Sequence, residues 1–216
     1  MAEPFDLPIR VMLVDDHAVV REGYRRLLAL EPDLAVVAEH ADADSAFEAL
    51  QRAPQAVQVL VLDLSMPGRS GLDLLQRIGA HWPALQVLVF SMHDSPAMVA
   101  QALRAGATGF ITKSSPPEEL VAAVRQVARG QQVLSADVAA AARPTPADAP
   151  HLGLSAREFD VLRFLIEGLP LERIAERLHL SLKTVANYQT TVRQKLGVGS
   201  AVELLRYARQ HGLMAG

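Results

Sequence analysis

Asp15 and Asp16 stand side by side after the apolar run IRVMLV at 9–14, and Asp63 follows a second such run, VQVLVL at 57–62. Ser91 follows a third, LQVLVF at 85–90, and Thr112-Lys113 a fourth, ATGFI at 107–111. If these runs are neighbouring strands of one sheet, their polar ends share an edge. Carboxylates converging there would repel strongly unless a cation sits among them. The chain has no cysteine, so a metal must be held by oxygen or imidazole. All-oxygen ligation suits Mg2+, which keeps several waters and favours one or two carboxylates together with a phosphoryl group. The residues therefore point to a metal on the Asp15-Asp16 pair and a phosphoryl group on Asp63. Its added oxygens would need donors, for which Lys113 offers a mobile charge and Ser91 a hydroxyl. A lone Lys or Ser at a strand end is usually just solvated; their coincidence with the acids at four strand ends is what carries the signal.

The elements that must position these groups are legible in the period. Short β-branched runs at 9–14, 34–38, 57–62, 85–90 and 107–111 alternate with helix-period segments such as AVVREGYRRLLAL, GLDLLQRI and PPEELVAAVRQVARG. Several strands are apolar on both faces, as a parallel sheet covered by helices on both sides requires. The expected fold is α/β, a flavodoxin-like (βα)5 domain, in which ligands bind beyond the carboxyl ends of the strands.

Charge divides the chain. Residues 1–130 carry 11 basic against 16 acidic residues, whereas 131–216 carry 10 against 8. Between the halves, SADVAAAARPTPADAPHLG at 135–153 is rich in Ala and Pro and reads as a semi-stiff linker. The expected division is residues 1–132, a linker at 133–152, and a second domain at 153–216. No apolar run reaches the roughly 18 residues of a membrane span, and MAEPFDLPIR lacks the order of a signal peptide. The expected location is cytoplasmic, with no membrane partner.

The segments LVDDH, LVLDLSMPGRSGLDLL, VLVFSMHD and GATGFITKS resemble the receiver domains of bacterial two-component response regulators over about residues 8–130. The resemblance implies that a sensor histidine kinase transfers phosphate to Asp63. It also implies that Asp16, Asp63 and the backbone carbonyl of Ser65 ligate Mg2+, with Asp15 acting mainly through water. Ser91 and Phe110 would be the switch pair, the hydroxyl swinging toward the phosphate while the ring turns inward. Relatives often carry Thr and Tyr at these two places, so Phe110 lacks the polar tip of a tyrosine. His93 stands where the family varies its dephosphorylation rate, with a solvated loop histidine as the plainer reading.

Beyond the linker the pattern is helical. Ser155 and Glu158 have capping-box spacing, with Val161, Leu162, Leu165 and Ile166 forming an apolar stripe before Gly168. A short helix at 171–178, a turn at HLS and a helix capped by Ser181 make a helix-turn-helix pattern. On the third helix Val185, Tyr188, Gln189, Val192 and Leu196 fall inward, and Lys183, Asn187, Thr190 and Gln194 outward. The outward row suits base edges in a major groove, with Lys183, Arg193 and Lys195 placed to neutralise phosphates. LSAREFDVL, GLPLERIAERL, SLKTVANY and KLGV resemble the LuxR-type four-helix DNA-binding domain of NarL/FixJ response regulators. The likeness adds Thr184 and Ala186 to the DNA-facing set and implies dimerisation through a helix at about 201–210. Where relatives often carry Lys and His, this chain has Ala186 and Tyr188, so the operator sequence is its own.

The leading expectation is a transcription factor switched by phosphorylation. Its partners would be a histidine kinase, promoter DNA, RNA polymerase and a second copy of the chain. It would be no enzyme beyond phosphotransfer and self-dephosphorylation. Two alternatives remain: a phosphatase forming an aspartyl phosphate, against which Asp63 lacks an acid two residues later, and a regulator independent of phosphate.

Overall fold

The structure, a computed structural model, describes residues 7–92, 95–141 and 149–214. Strands β1 (Ile9–Val14), β2 (Leu34–His40), β3 (Val59–Leu62), β4 (Gln86–Ser91) and β5 (Gly109–Thr112) alternate with helices α1 (Ala18–Ala29), α2 (Ala43–Arg52), α3 (Gly71–His81), α4 (Pro96–Arg104) and α5 (Pro117–Ala128). A two-residue strand β6 (Val133–Leu134) and a short helix α6 (Ala136–Ala141) follow. All pairings are parallel, in the order β2-β1-β3-β4-β5-β6.

The uninterrupted apolar runs become the central strands because both sheet faces are covered. Ile9, Val11, Val61 and Ile111 meet Leu28 of α1 and Leu120 and Val124 of α5 on one face. Met12, Leu62 and Val89 meet Phe47, Leu75 and Val99 of α2, α3 and α4 on the other. The sixth strand, which pairs Gly109 with Val133 and Phe110 with Leu134, was not expected, since two residues are too few to show a period.

Strand order reverses at β1, which has β2 on one side and β3 on the other. This switch point opens a crevice at the carboxyl ends of β1 and β3, where Asp15, Asp16 and Asp63 stand. Helix α3 starts immediately beside it. A Cβ on Gly71 would collide with the Asp63 carbonyl oxygen and lie 2.7 Å from Leu64 Cα, so only glycine lets the helix begin this close to the strand end.

The C-terminal part comprises α7 (Ala156–Ile166), α8 (Leu171–Leu178), α9 (Leu182–Leu196) and α10 (Ala201–Gln210). Ser155 and Glu158 form the expected capping box at the start of α7. Val161 and Phe164 of α7, Ile174 and Leu178 of α8 and Val185 of α9 form one apolar cluster that fixes the helix-turn-helix angle. His179 makes the turn in the left-handed region at φ 52°, a conformation costly for most residues other than glycine. Leu162, Val192, Leu204 and Ala208 belong to the same buried cluster as Leu72 and Met98 of the sheet domain, so apolar packing is continuous between the two parts. Among the described residues no helix is long and apolar enough to cross a membrane.

Candidate phosphoacceptor site and nucleic-acid interface

The crevice brings together Asp15, Asp16, His17 and Asp63, each with one possible ligand atom within 4.8 Å of the others. Asp15 and Asp63 are buried and Asp16 is partly exposed. Lys113, from the end of β5, reaches between two of them, its Nζ lying 2.6 Å from Asp15 Oδ2 and 2.7 Å from Asp63 Oδ2. Burial alone would lower the Lys113 pKa, but the two carboxylates outweigh it and hold the ammonium above its usual value. The lysine is thus a fixed cation.

The remaining oxygens are held from the backbone. Asp15 Oδ1 accepts from the His17 amide at 2.8 Å, and Asp63 Oδ1 from the Ser65 amide at 2.9 Å. Asp16 Oδ1 is buried without a hydrogen-bond partner, although His17 Nδ1 lies 3.0 Å away. An orphaned carboxylate oxygen facing two further acids is the arrangement a hard cation would satisfy. Asp15, Asp16 and Asp63 thus converge on one crevice, with Lys113 engaging Asp15 and Asp63 and the Ser65 amide engaging Asp63.

Ser91 is fully buried at the end of β4, and Phe110 is fully buried in the core on β5. The ring thus already lies inward. Without a hydroxyl to hydrate, it gains nothing by leaving the core. His93 lies outside the described residues.

Several contributors escaped the sequence reading. His17 belongs to the acidic cluster, and its signal was its place directly after the aspartate pair. Gly71 sets the approach of α3. Three arginines arrive from the C-terminal helices: Arg157 Nη1 donates to the Gly68 carbonyl at 2.5 Å, Arg163 Nη1 to Ser65 Oγ at 3.3 Å, and the Arg177 carbonyl accepts from the Gly68 amide at 3.0 Å. No local pattern announces contacts that cross 89 or more residues of chain.

On α9, Val185, Val192 and Leu196 are buried and Tyr188 and Gln189 half-buried, while Lys183, Asn187, Thr190 and Gln194 are exposed. The outward row keeps its donors and acceptors near the surface, with Thr190 Oγ1 also donating to the Ala186 carbonyl at 3.0 Å. Ala186 is half-buried. Thr184 lies in the first turn, its amide and hydroxyl both engaged by the Ser181 cap at 3.1 and 2.7 Å. Lys195 Nζ bonds Glu158 Oε2 at 2.6 Å, tying the end of α9 to the start of α7, and Arg193 Nε is buried without a partner. Lys183 is the basic residue standing clear at the helix start.

Comparison with known proteins agrees with both halves. The description "Response regulator receiver domain" matches residues 11–125, and "Bacterial regulatory proteins, luxR family" matches residues 152–208. The transcriptional regulatory protein UhpA of Salmonella typhimurium is 46% identical over 200 residues, covering 91% of this chain and 95% of UhpA. The RcsB response regulator of Salmonella typhimurium superposes with a TM-score of 0.69 at 28% identity, covering 95% of this chain and 99% of that one. A complex of RcsB with DNA gives 0.61 at 30% identity, covering 94% and 98%. The chain belongs to the NarL/FixJ two-component response regulators, in which a receiver domain is joined to a LuxR-type helix-turn-helix DNA-binding domain.

Proposed function

We propose that Asp63 accepts a phosphoryl group from a sensor histidine kinase and that this controls dimerisation and sequence-specific binding to promoter DNA. The observation that carries the reading is the Asp63 carboxylate, buried, oriented by the Ser65 amide and Lys113, and opposite the orphaned Asp16 oxygen. In the transfer, an Asp63 oxygen attacks phosphorus as the bond to the donor histidine nitrogen breaks, and that nitrogen keeps the electron pair. Asp16, Asp63 and the Ser65 carbonyl would hold Mg2+, with Asp15 behind. When bound, the ion neutralises charge on the transferring oxygens. Lys113 would pair with the phosphoryl group from the other side, and the Ser91 hydroxyl would turn toward it beside Phe110. Hydrolysis of the aspartyl phosphate would reset the protein, which turns over no other substrate.

The receiver would occupy residues 1–132, the linker 133–152 and the effector 153–216, the linker opening on β6, which adds to the receiver sheet beside β5. Lys183, Asn187, Thr190 and Gln194 would enter the major groove, with Thr184 and Ala186 lining the approach and Arg193 and Lys195 near the backbone. Two copies would bind two half-sites, with RNA polymerase as the further partner, in the cytoplasm. Intact-mass analysis after incubation with Mg2+ and a small phosphodonor tests the acceptor: one phosphoryl adduct is expected on the wild type and none on Asp63→Asn. An acid-labile adduct on the variant would overturn the assignment.

A further inference from the structure

A cavity of about 380 Å3 lies between the two domains, lined by Asp16 and Ser65 from the receiver and by Arg163, Glu167 and Arg177 from the effector. Arg163 reaches furthest toward the acceptor. Its Nη1 donates to Ser65 Oγ, and the Ser65 amide donates to Asp63 Oδ1, so one serine separates the guanidinium from the phosphoacceptor carboxylate. Arg163 Nε is buried without a hydrogen-bond partner; the guanidinium charge acts on the buried Asp160 carboxylate three residues back on α7, but among the described residues no carboxylate lies within 4.0 Å of it to form an ion pair. A buried guanidinium donor with no acceptor is an incomplete arrangement. Lys113, the other cation at the site, is already engaged by two carboxylates.

A phosphoryl group on Asp63 would bring strong acceptor oxygens to this point. We infer that Arg163, carried by the effector domain, is a direct ligand of the phosphoryl group, so that the modified aspartate is shared between the two domains. The inference rests on the reading of Asp63 as the acceptor. Arg suits the task because its planar fork offers several donors at once and keeps its charge when desolvated. Arg157 and the Arg177 carbonyl hold Gly68 on the same loop and so keep α7 against the site.

If the phosphoryl group gains a ligand only while α7 is docked, then phosphorylation favours the docked arrangement by the same free energy that docking adds to phosphoryl binding. Lys183, Asn187, Thr190 and Gln194 are exposed in that arrangement, so the recognition helix can meet DNA without the domains parting. Phosphorylation would then tighten the interface, not release it.

The test is calorimetric titration of the full chain with beryllofluoride in Mg2+, a phosphoryl analogue that needs the Asp63 carboxylate. Wild type should bind and Asp63→Asn should not, which separates an adduct on the aspartate from an anion resting free in the cavity. Arg163→Ala should bind roughly tenfold more weakly, the fold-change expected for one hydrogen bond to a charged group, with Arg163→Lys in between. Arg157→Ala, which loosens α7 from the Gly68 carbonyl without touching Ser65 or the acceptor, should lose clearly less affinity than Arg163→Ala. Wild-type affinity in Arg163→Ala overturns the inference and leaves the acceptor reading intact. An equal loss in Arg157→Ala overturns it too, because docking in general would then be responsible. Failure of the wild type to bind overturns the acceptor reading itself.

Discussion

Replacing Lys113 with methionine isolates the electrostatics of the crevice. The ammonium lies 2.6 and 2.7 Å from Asp15 and Asp63, and the three side chains are only 6%, 8% and 2% exposed. Methionine keeps most of the side-chain volume but leaves two buried carboxylates facing each other without their cation. Removing one partner of such a pair costs about 3–5 kcal/mol. In a chain of this size each kcal/mol moves the midpoint by about 2–4 °C, so Tm should fall by roughly 10 °C. The assay is thermal unfolding followed by circular dichroism, first in EDTA and then with increasing Mg2+. The ion should raise Tm more in Lys113→Met than in wild type, since a dication among the carboxylates replaces what the lysine supplied. Equal Tm values in EDTA would mean that Lys113 does not stabilise the two buried carboxylates in the folded state.

His151 gives a pH prediction: it is fully buried where Gln101 of α4 donates to its carbonyl at 2.7 Å and Tyr207 of α10 meets its Nδ1 at 3.0 Å. Burial and then His211 push its pKa down from 6.5 to about 4, so the folded state favours the neutral ring. That contribution is complete above pH 6.5 and is lost as pH falls through 4, to a total of about 3 kcal/mol. His151→Gln should lose correspondingly less stability over this window by urea titration; parallel curves for the two proteins would count against it. Gly71→Ala should disturb the acceptor loop by driving a methyl into Asp63 and Leu64, lowering Tm and slowing phosphoryl uptake, read from melting curves and adduct kinetics. Unchanged values for both would mean that α3 retreats freely.

Much of the fold was legible because period and punctuation agreed. The runs at 9–14 and 57–62 read as strands and form β1 and, from Val59, β3, and Ser155 with Glu158 announced a helix start that the structure caps as expected. The acidic residues and Lys113 were legible because strand ends of a doubly wound sheet share one edge, so sequence position fixes spatial position. Strand β6 was hidden by its length. The roles of Arg157, Arg163 and Arg177 at the loop after Asp63 were hidden for another reason: they depend on how α7 and α8 rest on the receiver, a tertiary outcome with no local signature. Lys195 shows the same limit from the other side, since a helical wheel gives its direction but not the Glu158 carboxylate that takes it up.

Whether Asp63 controls the effector is decided by DNA affinity and oligomeric mass of the full chain, with and without Mg2+ and a small phosphodonor, beside Asp63→Asn. Phosphorylation should promote dimerisation and DNA binding in the wild type alone. Equal binding by both proteins, phosphodonor present or absent, would contradict it and leave the function with the C-terminal helices.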